Sequence, residues 1–187
     1  MKNNSVLTLI DPRGVATLTL NRPRVHNAFD AHLIEKLTQE LSLASLNQKI
    51  RLIVITGSGK SFCSGADLKW MKNAAKFSKS ENLIDAKKAG QLFKTLYLSQ
   101  KPTIAKVNGS AFGGGLGLIA ACDIAIAAKS STFSLSEVRL GLIPAMISPY
   151  IVKAVGVRNA ARFMLTGERF NTDTALRIGL LQKVTAA

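Results

Sequence analysis

The chain has 187 residues, 25 of them Lys or Arg and 11 Asp or Glu, for a net charge of +14, with 47% hydrophobic and 19% charged residues. Length and composition fit one globular domain over residues 1–187 with a sizeable core, and exclude a disordered or fibrous chain. No apolar run approaches the roughly 18 residues of a membrane span, and the basic residues are scattered without a recognition motif, so neither membrane nor nucleic acid is an expected partner.

In chain order, Val6–Ile10 and Val15–Leu20 read as strands around the turn-rich Asp11-Pro-Arg-Gly14. The opening apolar stretch is too short for a secretory signal. Asn21 to Ala28 is a polar loop. Asp30 is placed to cap a helix over 31–46, with Leu33, Leu37 and Leu41 on one stripe. A strand over 51–56 follows, then a glycine loop and a Lys- and Ser-rich helical stretch over 67–79. A longer helix is predicted over 83–99, ended by Lys101-Pro102, which starts a strand over 103–107. Helix 115–121, strand 123–128 and a short strand near 132–135 come next. Pro144 marks a break, and helices near 146–155, 158–166 and 172–179 complete the chain. Alternating strands and helices predict an α/β fold, a sheet packed against helices. Cys63 and Cys122 have no metal-ligand spacing, so no metal is expected, and two such thiols fit a reducing, cytoplasmic compartment.

Two segments carry the chemistry. In Asn108-Gly-Ser-Ala-Phe-Gly-Gly-Gly-Leu-Gly117, consecutive glycines open an apolar helix. Without a Cβ, their N–H groups are open to close approach, and the helix dipole adds positive character. The arrangement suits a phosphate or an oxyanion, or is a tight turn with no ligand. It is neither a Walker loop, since no Gly-Lys-Ser/Thr follows, nor a dinucleotide fingerprint, since Leu118 stands where a third glycine is needed. Strand 51–56 likewise empties into Ser64-Gly-Ala-Asp67 ahead of a helix. Two such units can each aim one backbone N–H at a shared point, as an oxyanion hole requires.

Phe62-Cys-Ser-Gly-Ala-Asp-Leu68, Lys101 to Gly115, Cys122-Asp-Ile-Ala-Ile-Ala127, Phe133 to Val138 and Leu140-Gly-Leu-Ile-Pro144 together resemble the enoyl-CoA hydratase/isomerase, or crotonase, superfamily. The opening Ile10 to Pro23 and Asn27-Ala-Phe29 fit it as well, so the likeness runs over nearly the whole chain. Ser64 to Met71 and Ser136 to Tyr150 look most like the methylglutaconyl-CoA hydratase branch of leucine and isoprenoid breakdown. The resemblance implies repeated β-β-α units and a C-terminal helical segment used for trimers or dimers of trimers, which at Gln182–Ala187 is expected to be truncated or missing.

It also implies an acyl-CoA thioester substrate and no separate cofactor, coenzyme A being part of the substrate. The net positive charge would draw such a polyphosphate, and equally serves solubility. The oxyanion donors implied are the N–H groups of Ala66 and Gly114, and the catalytic carboxylate is Glu137. Read from the residues alone, Glu137 is a first-turn glutamate favouring a helix dipole. Arg24, Val25, His26 and Ala28 would border the nucleotide, and Ala66, Asp67, Leu68, Lys69 and Gly114 the thioester end. Asp67 itself reads as a helix cap rather than an acid. The implied first glutamate of a two-carboxylate hydratase falls at Gly117. The activity expected is hydration of an α,β-unsaturated acyl-CoA, with a single-glutamate Δ3-Δ2 isomerase and a non-catalytic scaffold as alternatives. Gly117→Glu, restoring a carboxylate there, is expected to raise hydration of crotonyl-CoA more than it raises isomerisation of 3-enoyl substrates.

Overall fold

The computed structural model describes residues 4–186. β1 (Val6–Ile10) and β2 (Val15–Leu20) form an antiparallel hairpin in full register. The Asp11 carboxylate closes its turn by accepting from the Arg13 and Val15 N–H groups. In β2 the period-2 pattern buries Ala16, Leu18 and Leu20 completely. β3 (Leu52–Gly57), β5 (Thr103–Val107), β7 (Ile124–Ala128) and β10 (Lys183–Thr185) then add in parallel, giving the order β1-β2-β3-β5-β7-β10.

α1 (Ala31–Leu46) starts where the Asp30 side chain accepts from Leu33 N–H, and its stripe Leu33, Leu37 and Leu41 is fully buried. It packs on α3 (Lys79–Tyr97). α3 begins earlier than the periodicity predicts because Ser78 and Glu81 form a capping box. The preceding α2 (Leu68–Ala74) is correspondingly shorter.

A second sheet, β4-β6-β8-β9, is built from β4 (Ser61–Cys63), β6 (Ser110–Phe112), β8 (Thr132–Ser134) and β9 (Phe170–Asn171). It realises the repeated β-β-α units. β3-β4 leads to α2, β5-β6 to α4 (Gly114–Ala121), and β7-β8 to a 3-10 turn, Ser136–Leu140. The first strand of each pair joins the large sheet and the second joins the small one. Asn108 holds two of these crossings together, accepting from Gly57 N–H at 3.0 Å and donating to Gly59 C=O.

α4 is apolar on every side and lies in the core, with Leu116, Leu118 and Ile119 all buried. The two helices predicted over 146–155 and 158–166 run as one element, α5 (Ser148–Thr166), interrupted at Gly156, whose φ is +77°. α6 (Thr172–Arg177) ends two residues early, and its Asn171 cap accepts from Thr174 N–H. Among the described residues no helix is long and apolar enough to cross a membrane.

Candidate active site

The three repeats end at one place. The loop after β4 brings Gly65 and Ala66, the loop after β6 brings Gly113 and Gly114, and the turn after β8 brings Glu137. Their convergence shows in the space around the glycines. A methyl group on Gly65 would lie 3.0 Å from Phe112 O and 3.5 Å from Gly114 N, and one on Gly113 would lie 3.0 Å from Glu137 Oε1.

The Ala66 segment is extended and forms a parallel bridge with Phe29. Phe29 N–H donates to Gly65 C=O at 2.7 Å, and Asp67 N–H donates to Phe29 C=O at 2.8 Å. Ala66, between these two bonds, presents its own N–H to the opposite side. Gly114 is the first residue of α4, where a helix leaves its N–H groups unsatisfied. Among the described residues neither the Ala66 nor the Gly114 N–H finds an acceptor in the protein. The Phe29 ring lies against Gly114, where a Cβ would meet it at 2.8 Å.

Glu137 follows Ser136 at the start of the 3-10 turn. Its Oε2 is buried without a hydrogen-bond partner. Burial pushes its carboxyl above the usual 4.5, with only its own backbone N–H acting the other way. These groups open on a cleft of about 920 Å³. Its walls are apolar, with Trp70 and Met71 from α2, Ala89 and Phe93 from α3, and Leu142 and Ile143 beyond the 3-10 turn.

Asp67 caps α2, its carboxylate accepting from Lys69 N–H at 2.8 Å. Burial works to raise this carboxyl, but donation from Lys69 N–H, the Arg22 guanidinium and Trp70 N–H outweighs it and holds the group below the ordinary value. Asp67 is thus a fixed anion and cap, unsuited to giving up a proton. Burial pushes the neighbouring Cys63 thiol up to about 12, away from nucleophilic use.

The sequence pattern of the enoyl-CoA hydratase/isomerase family matches residues 11–187. The chain belongs to this family. A short-chain-enoyl-CoA hydratase of Clostridium acetobutylicum is 35% identical over 176 residues, covering 91% of this chain and 65% of its own. A 2,3-dehydroadipyl-CoA hydratase of Escherichia coli is 36% identical over 171 residues, 91% of this chain and 65% of its own. The crystal structure of an enoyl-CoA hydratase from Shewanella pealeana superposes with a TM-score of 0.95 at 42% identity, covering 98% of this chain and 69% of that one. Among the first curated relatives matched, the chain spans between 57% and 70% of their length.

Of the residues that likeness to the family singled out, Ala66, Gly114 and Glu137 stand around the cleft, and Val25, His26, Ala28, Asp67, Leu68 and Lys69 line it. His26 takes a left-handed φ of +53°, with its Nδ1 3.0 Å from Ser61 Oγ. Arg24 is exposed on the turn Pro23–Val25 and is not in the cleft wall, since Val25 takes the cleft-facing place there. His32 is exposed on α1.

Gly117 departs further from expectation. It is buried, and a Cβ there would lie 2.3 Å from Ile147 Cγ2 and 2.8 Å from Phe93 Cε1. The place a glutamate at 117 would need is filled by these two side chains, so the expectation that a carboxylate there simply restores hydration is corrected. Sequence reasoning also missed Phe29, Phe93, Ile147 and Arg22. Phe29, Arg22 and Ile147 lie inside segments that carried the likeness, though nothing in them marks these three residues, and nothing local marks Phe93.

Gly113 makes a test of the family geometry. With φ at +50° and Glu137 Oε1 in the path of a side chain, Gly113→Ala must move either the backbone or the carboxylate. Turnover is expected to fall by about 10-fold or more, a 1 Å misplacement costing up to roughly 100-fold, while the fold persists by circular dichroism. Wild-type turnover in the alanine variant would show that Glu137 is not held against this glycine.

Proposed function

We propose that the protein adds water to an α,β-unsaturated acyl-CoA, with 3-methylglutaconyl-CoA as the first candidate substrate. The observation that carries this is the meeting of two unengaged N–H donors, on Ala66 and Gly114, with the Glu137 carboxyl, whose buried Oε2 has no hydrogen-bond partner. Water addition to the β-carbon of a thioester-conjugated double bond leaves an enolate, whose charge rests on the thioester oxygen. The Ala66 and Gly114 N–H groups serve that oxygen, each donor of this kind contributing roughly 3–4 kcal/mol to the transition state. Glu137 gives its proton to the α-carbon and recovers one from the added water, so the enzyme ends as it began. A carboxyl whose proton is held more tightly than usual fits this double duty.

A family relative acting on 2,3-dehydroadipyl-CoA supports an acyl group bearing a second carboxylate, and Ser136 to Tyr150 supports the methylglutaconyl branch by likeness. A cytoplasmic setting, and a homotrimer or dimer of trimers, are part of the same proposal.

The filled space at Gly117 favours a second reading, a Δ3-Δ2-enoyl-CoA isomerase. There the Glu137 carboxylate takes a proton from the α-carbon and returns it to the γ-carbon, and no group is needed to direct water. Parallel assays with 3-methylglutaconyl-CoA, crotonyl-CoA and a 3-enoyl-CoA separate the two. Hydration outpacing isomerisation is the expected result. A fast 3-enoyl shift with negligible water addition would replace the hydratase by the isomerase, and no turnover of any thioester would leave a scaffold.

A further inference from the structure

Arg22 stands two residues beyond β2, just before the turn Pro23–Val25 and outside the cleft wall, and ties the Ala66 loop to the rest of the fold. Its guanidinium reaches three acceptors on separate segments: the Ala28 C=O, Asp30 Oδ2 at 2.8 Å and Asp67 Oδ2 at 3.0 Å. The side chain is itself largely enclosed, with 21% exposure against 28% for Asp30 and 11% for Asp67. Its backbone is fixed too. Arg22 N–H donates to Asn27 Oδ1, and Asn27 N–H donates back to Arg22 C=O, each at 2.9 Å. Fully buried Asn27 is in turn pinned through its side-chain amide to the carbonyls of Ser58 and Ser61.

The three acceptors have a pattern. Ala28 and Asp30 flank Phe29 on one strand of the small bridge, and Asp67 follows Ala66 on the other. One planar guanidinium therefore clamps both strands of the bridge that orients the Ala66 N–H. We propose that Arg22 is a positioning residue that sets the direction and depth of the Ala66 N–H donor in the cleft. The inference rests on the oxyanion role proposed for that N–H. A lysine keeps the charge but, as a compact ammonium, lacks the rigid fork that spans three acceptors.

The test reads the donor directly. The protein is labelled with 15N-alanine, the Ala66 amide resonance is followed as acetoacetyl-CoA is added, and kcat and KM are measured with the best thioester from the parallel assays. In the wild type the resonance moves on binding. In Arg22→Lys it is expected to move less, with kcat lower by about 10–100-fold and KM changed by no more than about threefold, as misplacement of a catalytic group predicts. Asp30→Asn is a milder companion should the lysine variant fold poorly. Asparagine caps helices as well as aspartate does, so α1 keeps its cap while the guanidinium loses one anchor. Its kcat is expected to fall by a smaller factor with KM unchanged. A folded Arg22→Lys or Asp30→Asn protein with wild-type kcat and a wild-type Ala66 response would overturn the role of Arg22 alone. A wild-type Ala66 resonance that ignores the bound thioester would overturn the oxyanion reading, and the Arg22 role with it.

Discussion

Glu137→Gln is expected to lower turnover by about 10²–10⁴-fold, the usual worth of a placed proton-transfer group, while leaving the protein as stable as the wild type or more so at neutral pH. The two effects have one cause. Burial raises the Glu137 carboxyl in the folded state, whereas the unfolded chain returns it to the ordinary 4.5. The folded protein therefore favours the protonated form, and this contribution is fully present below pH 4.5. It is lost as pH rises through the raised folded value, because the folded state must then carry a desolvated carboxylate whose buried Oε2 has no partner. Glutamine has no such loss. The melting temperature of the Gln variant minus that of the wild type should climb between pH 4.5 and the raised value, then level off. A difference that is flat across this range, or that falls, would mean Glu137 is not desolvated as the structure has it.

The second large effect concerns Gly117. Gly117→Glu is expected to destabilise the fold sharply and to give no gain in crotonyl-CoA hydration. The first side-chain atom alone would stand 2.3 Å from Ile147 Cγ2, and such overpacking costs about 1–3 kcal/mol before any charge is considered. A carboxylate buried there without a partner adds to the loss. Shortening the obstacle should relieve it, so Gly117→Glu with Ile147→Ala should regain part of the lost stability, and this double variant is the one able to host a second carboxylate. Urea unfolding midpoints measure the first claim, and hydration rates of the single and double variants measure the second. A Gly117→Glu protein of wild-type stability that hydrates faster would mean the Ile147 side chain yields far more readily than its packing implies.

The large sheet was legible except for β10, a three-residue strand too short to show a pattern, because its other strands are long enough to show one. β2 alternates along Val15–Leu20, β7 is a run of Ile and Ala, and β5 is small or β-branched at every position but Lys106. Of the small sheet only β8, expected near 132–135 and found at Thr132–Ser134, was legible. Ser61–Cys63, Ser110–Phe112 and Phe170–Asn171 are two or three residues long, too short for any period, and two of them lie inside segments read as glycine loops. Yet this sheet aligns the ends of the three repeats and so brings Ala66, Gly114 and Glu137 together. The candidate site residues could be named from motifs because backbone N–H groups left open to close approach leave a strong trace of small residues. What surrounds them left none. Ile147 meets Gly117 across 30 positions of sequence, and the three-way reach of Arg22 depends on how Asp30 and Asp67 are brought side by side. The early start of α3 could have been read, since Ser78 and Glu81 have capping-box spacing.

The position of β10 at the border of the large sheet bears on how the molecule is made. Lys183–Thr185 pair with Ile126–Ala128, so β7 must await a partner that emerges from the ribosome 57 residues after it. Until then one side of β7 presents bare backbone N–H and C=O groups, a template for association between nascent chains. Closure of so long a loop is entropically slow to achieve. Gln182 ties the arriving segment to β7, its side chain accepting from Ala125 N–H at 2.7 Å and its N–H donating to Ala125 C=O at 2.9 Å. Synthesis that stalls between residues 128 and 182 would leave that border open, and chaperone dependence should concentrate in this interval.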